Sequence, residues 1–594
     1  MNKTKKTEMS VPENLEVTSP RRGDTGLLVA LKKVARYTII ACAICASFGG
    51  VAQAQIVPGA GTILRQQEQK PLEVPTRPAP TIKQDEPARP ALKPADTPHF
   101  MLKGFRVTGN TVFAESELIE LVREYVGKDV GFADLEQAAA RISRYYREHG
   151  YMVARAYIPA QTVTIDGVVE IAVIEGRFGK VELDNKSRVR DSVAGGYLDE
   201  FPGTLVTEPA LERKMLLLND LPGVGEARAR LTPGAQVGES DLAVALAAAP
   251  FASGSLEYNN QGNYYTGVNQ LVANVNLLSP LGLGDMLNGQ FTKGFDGLEY
   301  GRLAYQIPVG SDGFKLGAAY SNTRYQLGKT FEPLDESGWA HAYTLNASYP
   351  FKRTPNFNLY GQAAYDRRDF QDSQGFVGLV SEKTTNVARL TLSGDARDTA
   401  LGGGITVFSL GYSGGSLNLE TPIVRQIDDA TVQTNGHFDK WNVSALRLQS
   451  ISERLSVFVS LSGQKAGKNL DSSEKFFLGG AYGVRAYATG EAAGDNGYLA
   501  TAELRYTFSI AAVPGVWQPF AFVDTGGVTI NENPFAPGVP NTRHLTGGGM
   551  GLTWVRASDF QVKLTVATRL GSEHSTSSDT DQKTRGWVQA IKYF

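Results

Sequence analysis

Residues 343–349 read YTLNASY, so every odd position is apolar or aromatic and every even position is polar. Successive side chains of a β-strand point to opposite faces of the sheet, so this stretch predicts a strand with one apolar and one polar face. The same period of two recurs in residues 271–277 and 302–309. A transmembrane β-barrel requires this pattern, because its outer face meets lipid and its inner face meets water. The pattern favours a transmembrane antiparallel β-barrel over residues 251–594, with a soluble β-sandwich or β-helix as the alternative.

The composition of residues 251–594 agrees with a barrel. Of the 64 glycines in the 594-residue chain, 43 lie there, together with 42 of the 56 aromatic residues and all five tryptophans. Aromatic residues at strand ends suit the girdles at the two membrane interfaces, and glycine suits turns such as those predicted at 279–282 and 311–313. The chain ends in the aromatic residue Phe594. This ending favours a barrel that closes on its last strand.

Charge and motif content argue against several other functions. The formal net charge is -2, from 59 basic and 61 acidic residues, so the chain lacks the basic field that nucleic-acid binding uses. The six histidines show no metal-ligand spacing, and no phosphate-binding GxxxxGK[ST] loop occurs. Residues 411–415 fit G-x-S-x-G, but a nucleophile elbow needs a strand-to-helix turn, whereas residues 405–412 read as a glycine-broken strand without a helix after it. We therefore expect no nucleic-acid partner, no metal, no cofactor and no enzymatic activity.

The N-terminus has the features of an export signal. Basic residues precede fifteen uncharged residues, 38–52, and residues 52–54 read AQA, the small-x-small pattern of signal-peptide cleavage. A membrane-spanning helix needs about 20 apolar residues, so the run is too short for an anchor. We predict a signal peptide over residues 1–54. Both cysteines, Cys42 and Cys45, leave with it, and a thiol-free mature chain suits an oxidising periplasm.

A short helix and a linker follow the cleavage site. Residues 59–69 predict a helix of about three turns, which includes Thr62, Ile63, Leu64 and Arg65 and lies in a segment 55–70. Eight prolines then fall within residues 71–98, and this density predicts an extended, semi-rigid linker. Composition alone leaves a disordered N-terminus as the alternative.

Two small α+β modules are predicted between the linker and the barrel, over residues 99–177 and 178–250. In the first, the periodicity predicts a strand at 105–107, a helix at 118–125 capped by Ser116, a helix at 135–146 stopped by Gly150, and strands at 152–158 and 168–174. The second repeats the order more loosely, with strands at 180–183, 227–231 and 242–248 and helices at 193–198 and 209–218. Each module therefore has the order β-α-α-β-β.

Several stretches resemble two-partner secretion transporters of the Gram-negative outer membrane, the TpsB type or ShlB/FhaC/HecB-like haemolysin secretion/activation proteins of the POTRA-barrel superfamily. The resemblance covers essentially the whole mature chain. In the first module, residues 150–159 (GYMVARAYIP) and 173–177 (VIEGR) look like a POTRA (polypeptide-transport-associated) domain. From this resemblance we expect client-capture positions at Gly150, Tyr151, Arg155, Tyr157 and Gly176. Further matching stretches are 221–224, 231–234, 238–242, 469–476 and 478–480.

Residues 483–487 (GVRAY) resemble the VRG(Y/F) motif at the tip of the family's sixth extracellular loop. Residues 522–524 (FVD) resemble the F-x-D motif on the inner barrel wall, whose carboxylate receives the loop arginine. The resemblance implies a loop–barrel lock, which would consist of Gly483, Val484, Arg485, Tyr487, Phe522 and Asp524. An arginine fork matches a carboxylate bidentately. Ala486 stands where the family usually has glycine, so a positive φ there would be strained.

The resemblance implies a sixteen-strand barrel that secretes a partner protein, with the short N-terminal helix plugging the channel. The implied partner is a large secreted β-helical protein of the haemolysin, adhesin or contact-dependent toxin class. Its capture is expected in the periplasm, by addition of its backbone to an exposed sheet edge of a POTRA domain. Contact with outer-membrane lipid and lipopolysaccharide, and function as a monomer, are further expectations. The alternative is an insertase that folds other barrels, although that protein has more than two POTRA domains.

Overall fold

A computed structural model of the chain describes residues 57–69, 72–75, 80–84, 99–162, 165–578 and 580–594. The predicted signal peptide, residues 1–54, and most of the linker lie outside these ranges. Within them, no helix has both the length and the apolarity needed to cross a membrane. The predicted short helix is present as α1, Ala60–Glu68, and four residues of the linker, Thr81–Gln84, form a strand, β1.

The first module contains the predicted β-α-α-β-β elements, with two additional short strands, and has a small three-stranded sheet. Its elements are β2 Phe100–Met101, β3 Gly104–Thr108, α2 Glu115–Glu120, a 3-10 turn Arg123–Tyr125, β4 Asp129–Val130, α3 Phe132–Glu148, β5 Arg155–Tyr157 and β6 Val168–Ile174. The sheet order is β3-β6-β5, and β2 pairs with β4. The apolar face of α3 packs on the sheet and buries Leu135, Ala138 and Ile142. The prediction that Ser116 caps this helix is wrong. Helix α2 begins at Glu115, directly after Ala114, and has no side-chain cap.

The second module builds a four-stranded sheet that includes the linker strand. Its elements are β7 Arg177–Asn185, α4 Asp191–Gly195, α5 Glu208–Asn219, β8 Val224–Pro233 and β9 Glu239–Ala248. The sheet order is β1-β8-β9-β7. Strand β1 runs parallel to β8, with Thr81 opposite Arg228 and Gln84 opposite Leu231, and Ile82 packs against the module's core. This part of the linker is therefore the edge strand of the second module.

The remaining chain forms a closed antiparallel barrel, which confirms the predicted fold class. In chain order the strands are β10 Ala252–Asn259, β11 Gln270–Leu278, β12 Met286–Gly294, β13 Glu299–Pro308, β14 Lys315–Gln326, β15 Glu336–Arg353, β16 Phe357–Gln374, β17 Leu379–Asp398, β18 Gly404–Leu419, β19 Gly436–Ser450, β20 Leu455–Ala466, β21 Phe476–Phe477, β22 Ala493–Gly494, β23 Asn496–Tyr506, β24 Phe508–Ile510, β25 Val513–Thr529, β26 Thr542–Arg556, β27 Phe560–Arg569 and β28 Thr584–Tyr593. Strands β21 and β22 pair only with each other. Because β23 and β24 both pair with β25, they are two halves of one strand, and the barrel has sixteen strands.

The connections between barrel strands contain the remaining helical elements among the described residues. They are 3-10 turns at Lys329–Leu334 and Ala400–Gly402 and a helix, α6, at Pro422–Ala430. Strand β18 continues through Gly411 to Leu419, so the prediction of a strand broken at this glycine was wrong. Ser413 of the G-x-S-x-G stretch is 1% exposed in this uninterrupted strand. The strand-to-helix turn of a nucleophile elbow is therefore missing at Ser413.

The barrel closes between its first and last strands. Strand β10 pairs antiparallel with β28 from Ser255 opposite Tyr593 to Asn259 opposite Gln589. Gly254 and Phe594 extend the seam with two backbone hydrogen bonds of 2.9 and 3.1 Å. The predicted closure on the last strand is thus observed.

Side chains alternate between the two barrel faces as the sequence pattern predicts. Leu345 and Leu390 point outward and are each 63% exposed. Their chain neighbours Asn346 and Arg389 line a cavity inside the barrel together with Gln306, Gln362 and Thr391. The interior is therefore polar while the exterior is apolar, as an aqueous channel across a membrane requires.

The second module is fixed to the barrel turns by charged contacts. Arg353 at the end of β15 donates to both carboxylate oxygens of Asp220, at 2.7 and 2.9 Å. Lys214 of α5 is 4% exposed and lies 3.2 Å from Asp312 in the turn between β13 and β14. Because these contacts are bidentate or buried, they hold the module at one end of the barrel.

Candidate functional site: lid, plug and channel wall

A long loop between β20 and β23 folds back into the barrel. We call residues 467–495 the lid. Its two limbs are joined by the pairing of β21 with β22, and its tip turns sharply, since the Val484 amide donates to the Leu478 carbonyl at 2.6 Å. A Cβ on Gly483 would lie 1.9 Å from that carbonyl oxygen. The tip conformation therefore requires glycine at position 483.

The tip brings Arg485 onto the inner wall. Its Nε and Nη2 atoms donate to the two carboxylate oxygens of Asp524 on β25, at 2.8 and 2.7 Å, and its amide donates to the same carboxylate at 3.1 Å. The guanidinium carbon lies 3.4 Å from the ring centroid of Phe522. Arg485 is 5% exposed and Asp524 is 0% exposed. The geometry is a buried bidentate ion pair stacked on an aromatic ring.

The other predicted lid residues lie around this pair. Val484 and Tyr487 are both 0% exposed and pack in one apolar cluster with Phe522. The Tyr487 hydroxyl donates to the Glu573 carbonyl at 3.1 Å. The structure therefore brings all six residues of the predicted lock together.

Three residues that sequence reasoning missed complete the arginine site. Glu503 on β23 accepts a hydrogen bond from Arg485 Nη1 at 2.6 Å, so the guanidinium is shared by two carboxylates. The Thr501 hydroxyl donates to Asp524 at 2.9 Å, and the Trp587 indole donates to the Arg485 carbonyl at 2.8 Å. Thr501 and Glu503 share the lumen face of one strand, so the alternation pattern carried a signal for both. Trp587 carried none, because only the barrel closure brings β28 near the lid.

Ala486 fits because the wall has a notch opposite it. Ala486 is not among the described residues with positive φ, so the strain expected there does not arise. It is 0% exposed, and a Cβ on Gly547 of β26 would lie 2.6 Å from the Ala486 methyl. Gly549 and Gly551 lie on the same face of β26. A Cβ on either residue would likewise collide with an aromatic ring, that of Phe522 at Gly549 and that of Phe520 at Gly551. A glycine track on β26 therefore makes room for the lid and its aromatic support.

Helix α1 lies inside the barrel, and we call it the plug. Thr62, Ile63 and Leu64 are 5%, 1% and 1% exposed, and the two apolar residues pack against wall side chains that include Tyr300 and Tyr325. The Ala60 amide at the start of the helix donates to Asp372 of β16 at 2.7 Å. A carboxylate at a helix N-terminus stabilises the helix through its unpaired amides and its dipole. The plug is thus bound to the wall at its first turn.

A network of buried charges links the plug, the wall and the lid. Arg368 of β16 lies 3.2 Å from Glu68 of the plug and 2.9 Å from Glu474 of the lid. Lys440 of β19 lies 2.6 Å from the other oxygen of Glu474. Arg65 is half-buried in the last turns of the plug. Lid and plug therefore share one cation of the wall.

The predicted client-capture residues of the first module do not form one site. Gly150 and Gly176 have φ of +87° and +80°, and their carbonyls accept the amides of Glu208 and Val206, so they lie at the junction with the second module. Tyr151 packs edge-on against Tyr146. Arg155 and Tyr157 are exposed on β5.

The two modules differ in their sheet edges. In β5 of the first module, the edge amide of Ala156 donates to the Ser143 hydroxyl of α3 at 2.8 Å, and that hydroxyl lies 3.4 Å from the Ala156 carbonyl. In the second module, the edge of β8 is paired with β1. One edge is thus closed by a side chain, and the other is filled by a linker strand.

Glu175 is a buried hydrogen-bond acceptor in the first module. Its carboxylate accepts the amides of Thr111 and Val112, at 2.6 and 2.8 Å, the Thr111 hydroxyl, and the Tyr146 hydroxyl at 2.9 Å. Burial by itself raises the pKa of Glu175, but these hydrogen bonds outweigh burial and hold the pKa below its ordinary value. Burial and the same carboxylate raise the pKa of Tyr146. Glu175 is therefore ionised at neutral pH and acts as a structural acceptor.

No cluster of three or more histidine, cysteine, aspartate or glutamate side chains suited to a metal ion occurs in the described part of the chain. The buried charges of the lid and plug are instead paired with charged residues of the barrel wall. Their arrangement is that of a closed channel.

Comparisons with known proteins agree with this geometry. Residues 238–554, more than half of the chain, match the family described as haemolysin secretion/activation protein ShlB/FhaC/HecB. The chain belongs to this family. Residues 100–176 match the ShlB-type POTRA domain. Members of the ShlB/FhaC/HecB family are transporters, so the chain is a two-partner secretion transporter of the outer membrane, with its POTRA domains in the periplasm, and it works with a secreted partner protein.

Individual relatives cover most of the chain. The heme/hemopexin transporter protein HuxB of Haemophilus influenzae is 28% identical over 580 residues, which are 95% of this chain and all of the relative. The outer membrane transporter CdiB of Dickeya dadantii is 23% identical, over 77% of this chain and 80% of the relative. The solved structure of CdiB from Escherichia coli has a TM-score of 0.68 at 18% identity, covers 91% of this chain and is itself covered completely. That structure supports the fold.

Proposed function

We propose that the transporter captures an unfolded secreted protein in the periplasm and passes it through the barrel lumen, once plug and lid are displaced. The observation that carries this proposal is the occupation of a polar channel by two elements that polar contacts hold in place. The contacts of Glu68 and Glu474 with Arg368 are ionic, and apolar packing of Ile63 in the plug and Val484 in the lid adds to them. Because neither element is a strand of the barrel sheet, both can leave the lumen without opening the barrel wall.

The expected client is a large secreted β-helical protein of the haemolysin, adhesin or contact-dependent toxin class. Relatives named for heme/hemopexin transport and for CdiB support a secreted partner of this kind. An unfolded client offers free backbone groups, and an exposed sheet edge binds them as an added strand. Docking at the edge of β8 would require displacement of β1, because residues 81–84 fill that edge. Capture of the client would then pull on the linker that holds the plug.

The domain roles follow the same proposal. Residues 1–54 are the signal peptide, 55–70 the plug segment, 71–98 the linker, 99–177 and 178–250 the two POTRA domains, and 251–594 the barrel. A single barrel encloses its own channel, so the transporter works as a monomer. The apolar outer face contacts outer-membrane lipid and lipopolysaccharide.

Deletion of this chain from its host tests the proposal. We expect one large protein to disappear from the culture medium, while other outer-membrane barrels keep their normal abundance and heat-modifiable folding. Complementation with the wild-type chain should restore secretion. Unchanged secretion, or a general loss of folded barrels, would contradict the transporter role; a general loss would instead fit an insertase.

A further inference from the structure

Glu491 is a buried carboxylate in the descending limb of the lid, away from the arginine site. Its side chain is 0% exposed. Its partners are Arg543 Nη2 at 3.1 Å, the Ser575 hydroxyl at 2.8 Å, the Thr576 amide and hydroxyl at 2.6 and 2.9 Å, and the Ser577 amide and hydroxyl at 3.2 and 2.5 Å. Five of these six donors come from residues 575–577. We call residues 570–583, between β27 and β28, outer loop 8.

Further contacts fasten outer loop 8 to the lid. Arg543 donates to the Glu491 carbonyl at 2.8 Å and to the His574 carbonyl at 3.0 Å, so one side chain bridges lid and loop. The Tyr487 hydroxyl donates to the Glu573 carbonyl. Residues 573–577 therefore lie across residues 487–491 of the lid.

Outer loop 8 is also attached to its own strand, through a different carboxylate. Asp581 lies 2.5 Å from Arg569 on β27 and accepts the Ser575 amide at 2.9 Å. Among the described residues, Asp581 makes no ion pair or hydrogen bond with the lid. The loop thus has contacts with the lid and contacts with its own strand, and the two meet at Ser575, whose amide donates to Asp581 and whose hydroxyl donates to Glu491.

We propose that Glu491 is a positioning residue that joins outer loop 8 to the lid, so that lid and loop close the outer mouth of the channel as one body. A carboxylate has two oxygens with about four acceptor positions. Those of Glu491 accept hydrogen bonds from three consecutive residues of the loop. Withdrawal of the lid would leave these donors without their acceptor, so the loop has to move with it. The inference rests on the proposed secretion channel.

Spin-label distances and channel recordings test the coupling. The reporter pair is Gly571→Cys on outer loop 8, where no atom lies within 4 Å of an added Cβ, and His437→Cys, exposed at the start of β19. The only native cysteines, Cys42 and Cys45, lie in the predicted signal peptide. We expect Glu491→Gln to broaden the loop distance distribution and to raise the frequency of channel opening in planar bilayers several-fold, because the amide has one acceptor oxygen instead of two.

Two further variants keep the test decisive. The double variant Ser575→Ala/Ser577→Ala removes two hydroxyl donors while the buried Glu491 stays paired with Arg543, and it should behave like Glu491→Gln, even if that variant assembles poorly. Asp581→Asn is the control: it weakens the ion pair with Arg569, while its remaining oxygen can still accept the Ser575 amide, so it should change the opening frequency less than Glu491→Gln does. The inference is wrong if Glu491→Gln and the double serine variant leave the loop distances or the opening frequency unchanged, or if Asp581→Asn raises the frequency equally. A wild-type chain that neither conducts nor secretes would instead reject the secretion channel itself.

Discussion

At the residue scale, Arg485 joins the lid to two neighbouring strands at once. Its guanidinium binds Asp524 on β25 and Glu503 on β23, and both carboxylates are buried. Removal of this cation would leave the buried Asp524 without a cationic partner and with the Thr501 hydroxyl as its remaining side-chain donor, while Glu503 would keep only Arg505. Breaking such a buried pair typically costs about 3–5 kcal/mol, which makes this contact the strongest candidate for holding the lid.

Arg485→Glu should abolish client secretion, because it adds a third carboxylate where two already meet. Secreted client in the medium and external proteolysis of the lid measure the effect. Arg505→Gln is the control: Arg505 also pairs with Glu503, at 2.6 Å, but within the described part of the chain it makes no ion pair with the lid. Secretion should survive in the control. Wild-type secretion by Arg485→Glu would show that the ion pair does not position the lid.

Gly547→Ala should release the lid tip, because the added methyl would lie 2.6 Å from the Ala486 methyl. Ala486→Gly in the same chain should restore the fit, since it removes the opposing group. Overpacking of this kind typically costs about 1–3 kcal/mol. Proteolysis of the lid in the single and double variants measures the coupling, and a double variant no better than Gly547→Ala would contradict it.

Acid should weaken the first module through Glu175. The folded state holds the pKa of this group below its ordinary value, so its stabilisation is present above the unfolded pKa and is lost as the pH falls through the folded pKa. Glu175→Gln should lower the free energy of unfolding at pH 7 by about 1–3 kcal/mol, because buried donors lose their acceptor. Pulse proteolysis of the module in urea measures this, and the difference from wild type should shrink below the ordinary carboxyl pKa of 4.5. A difference that is independent of pH would argue against an ionised Glu175.

At the element scale, the plug is held by its two ends. The Ala60 amide binds Asp372, and Glu68 binds Arg368, while Gly61 packs closely on the lid, where an added Cβ would lie 2.9 Å from the Ser472 hydroxyl. The helix is only nine residues long, and isolated helices of this length are marginal in water. Its conformation therefore depends on the wall and the lid around it.

Deletion of residues 59–69 should raise single-channel conductance in planar bilayers, since it empties the space inside the barrel. Glu68→Gln should raise it less, because only one end is released. Glu382→Gln, at an exposed carboxylate that binds Gln371 on the barrel wall, should leave it at the wild-type value. Equal conductance in the deletion and the wild type would exclude a blocking role for α1.

The sequence predicts those helices and strands whose signal lies within one short stretch of residues. The helix predicted at 59–69 is observed at 60–68, and the alternation around residues 343–349 lies within β15. Pairings between distant segments were not predictable in this way. Strand β1 was read as linker because its four residues carry no signal for β8, and Ser116 was misassigned because a hydroxyl near a helix start does not fix which residue precedes the helix. Glu503 and Glu491 acquire their roles only when other strands and loops approach them.

At the scale of the whole molecule, the barrel and the second module are fastened to each other, and the plug and the lid lie inside the barrel. The second module is fastened to the barrel through Arg353 and Lys214, so the channel and the module that carries the linker strand stay in register. Plug and lid lie inside the barrel without joining its sheet, and besides their apolar packing both contact Arg368 of the wall. A client bound at the second module would therefore lie next to the linker that leads to the plug, and the plug blocks the client's path through the barrel.

The central claim is that the client travels through the lumen, and cross-linking to a stalled client tests it most directly. Asn346→Cys faces the lumen, and Leu345→Cys, its chain neighbour, faces lipid and is 63% exposed. The mature chain has no other cysteine if residues 1–54 are removed. A client with a single cysteine, stalled in transit by a folded domain at its end, should form a disulfide with Asn346→Cys and none with Leu345→Cys. Cross-linking at Leu345→Cys, or at neither position while secretion is stalled, would contradict passage through the barrel.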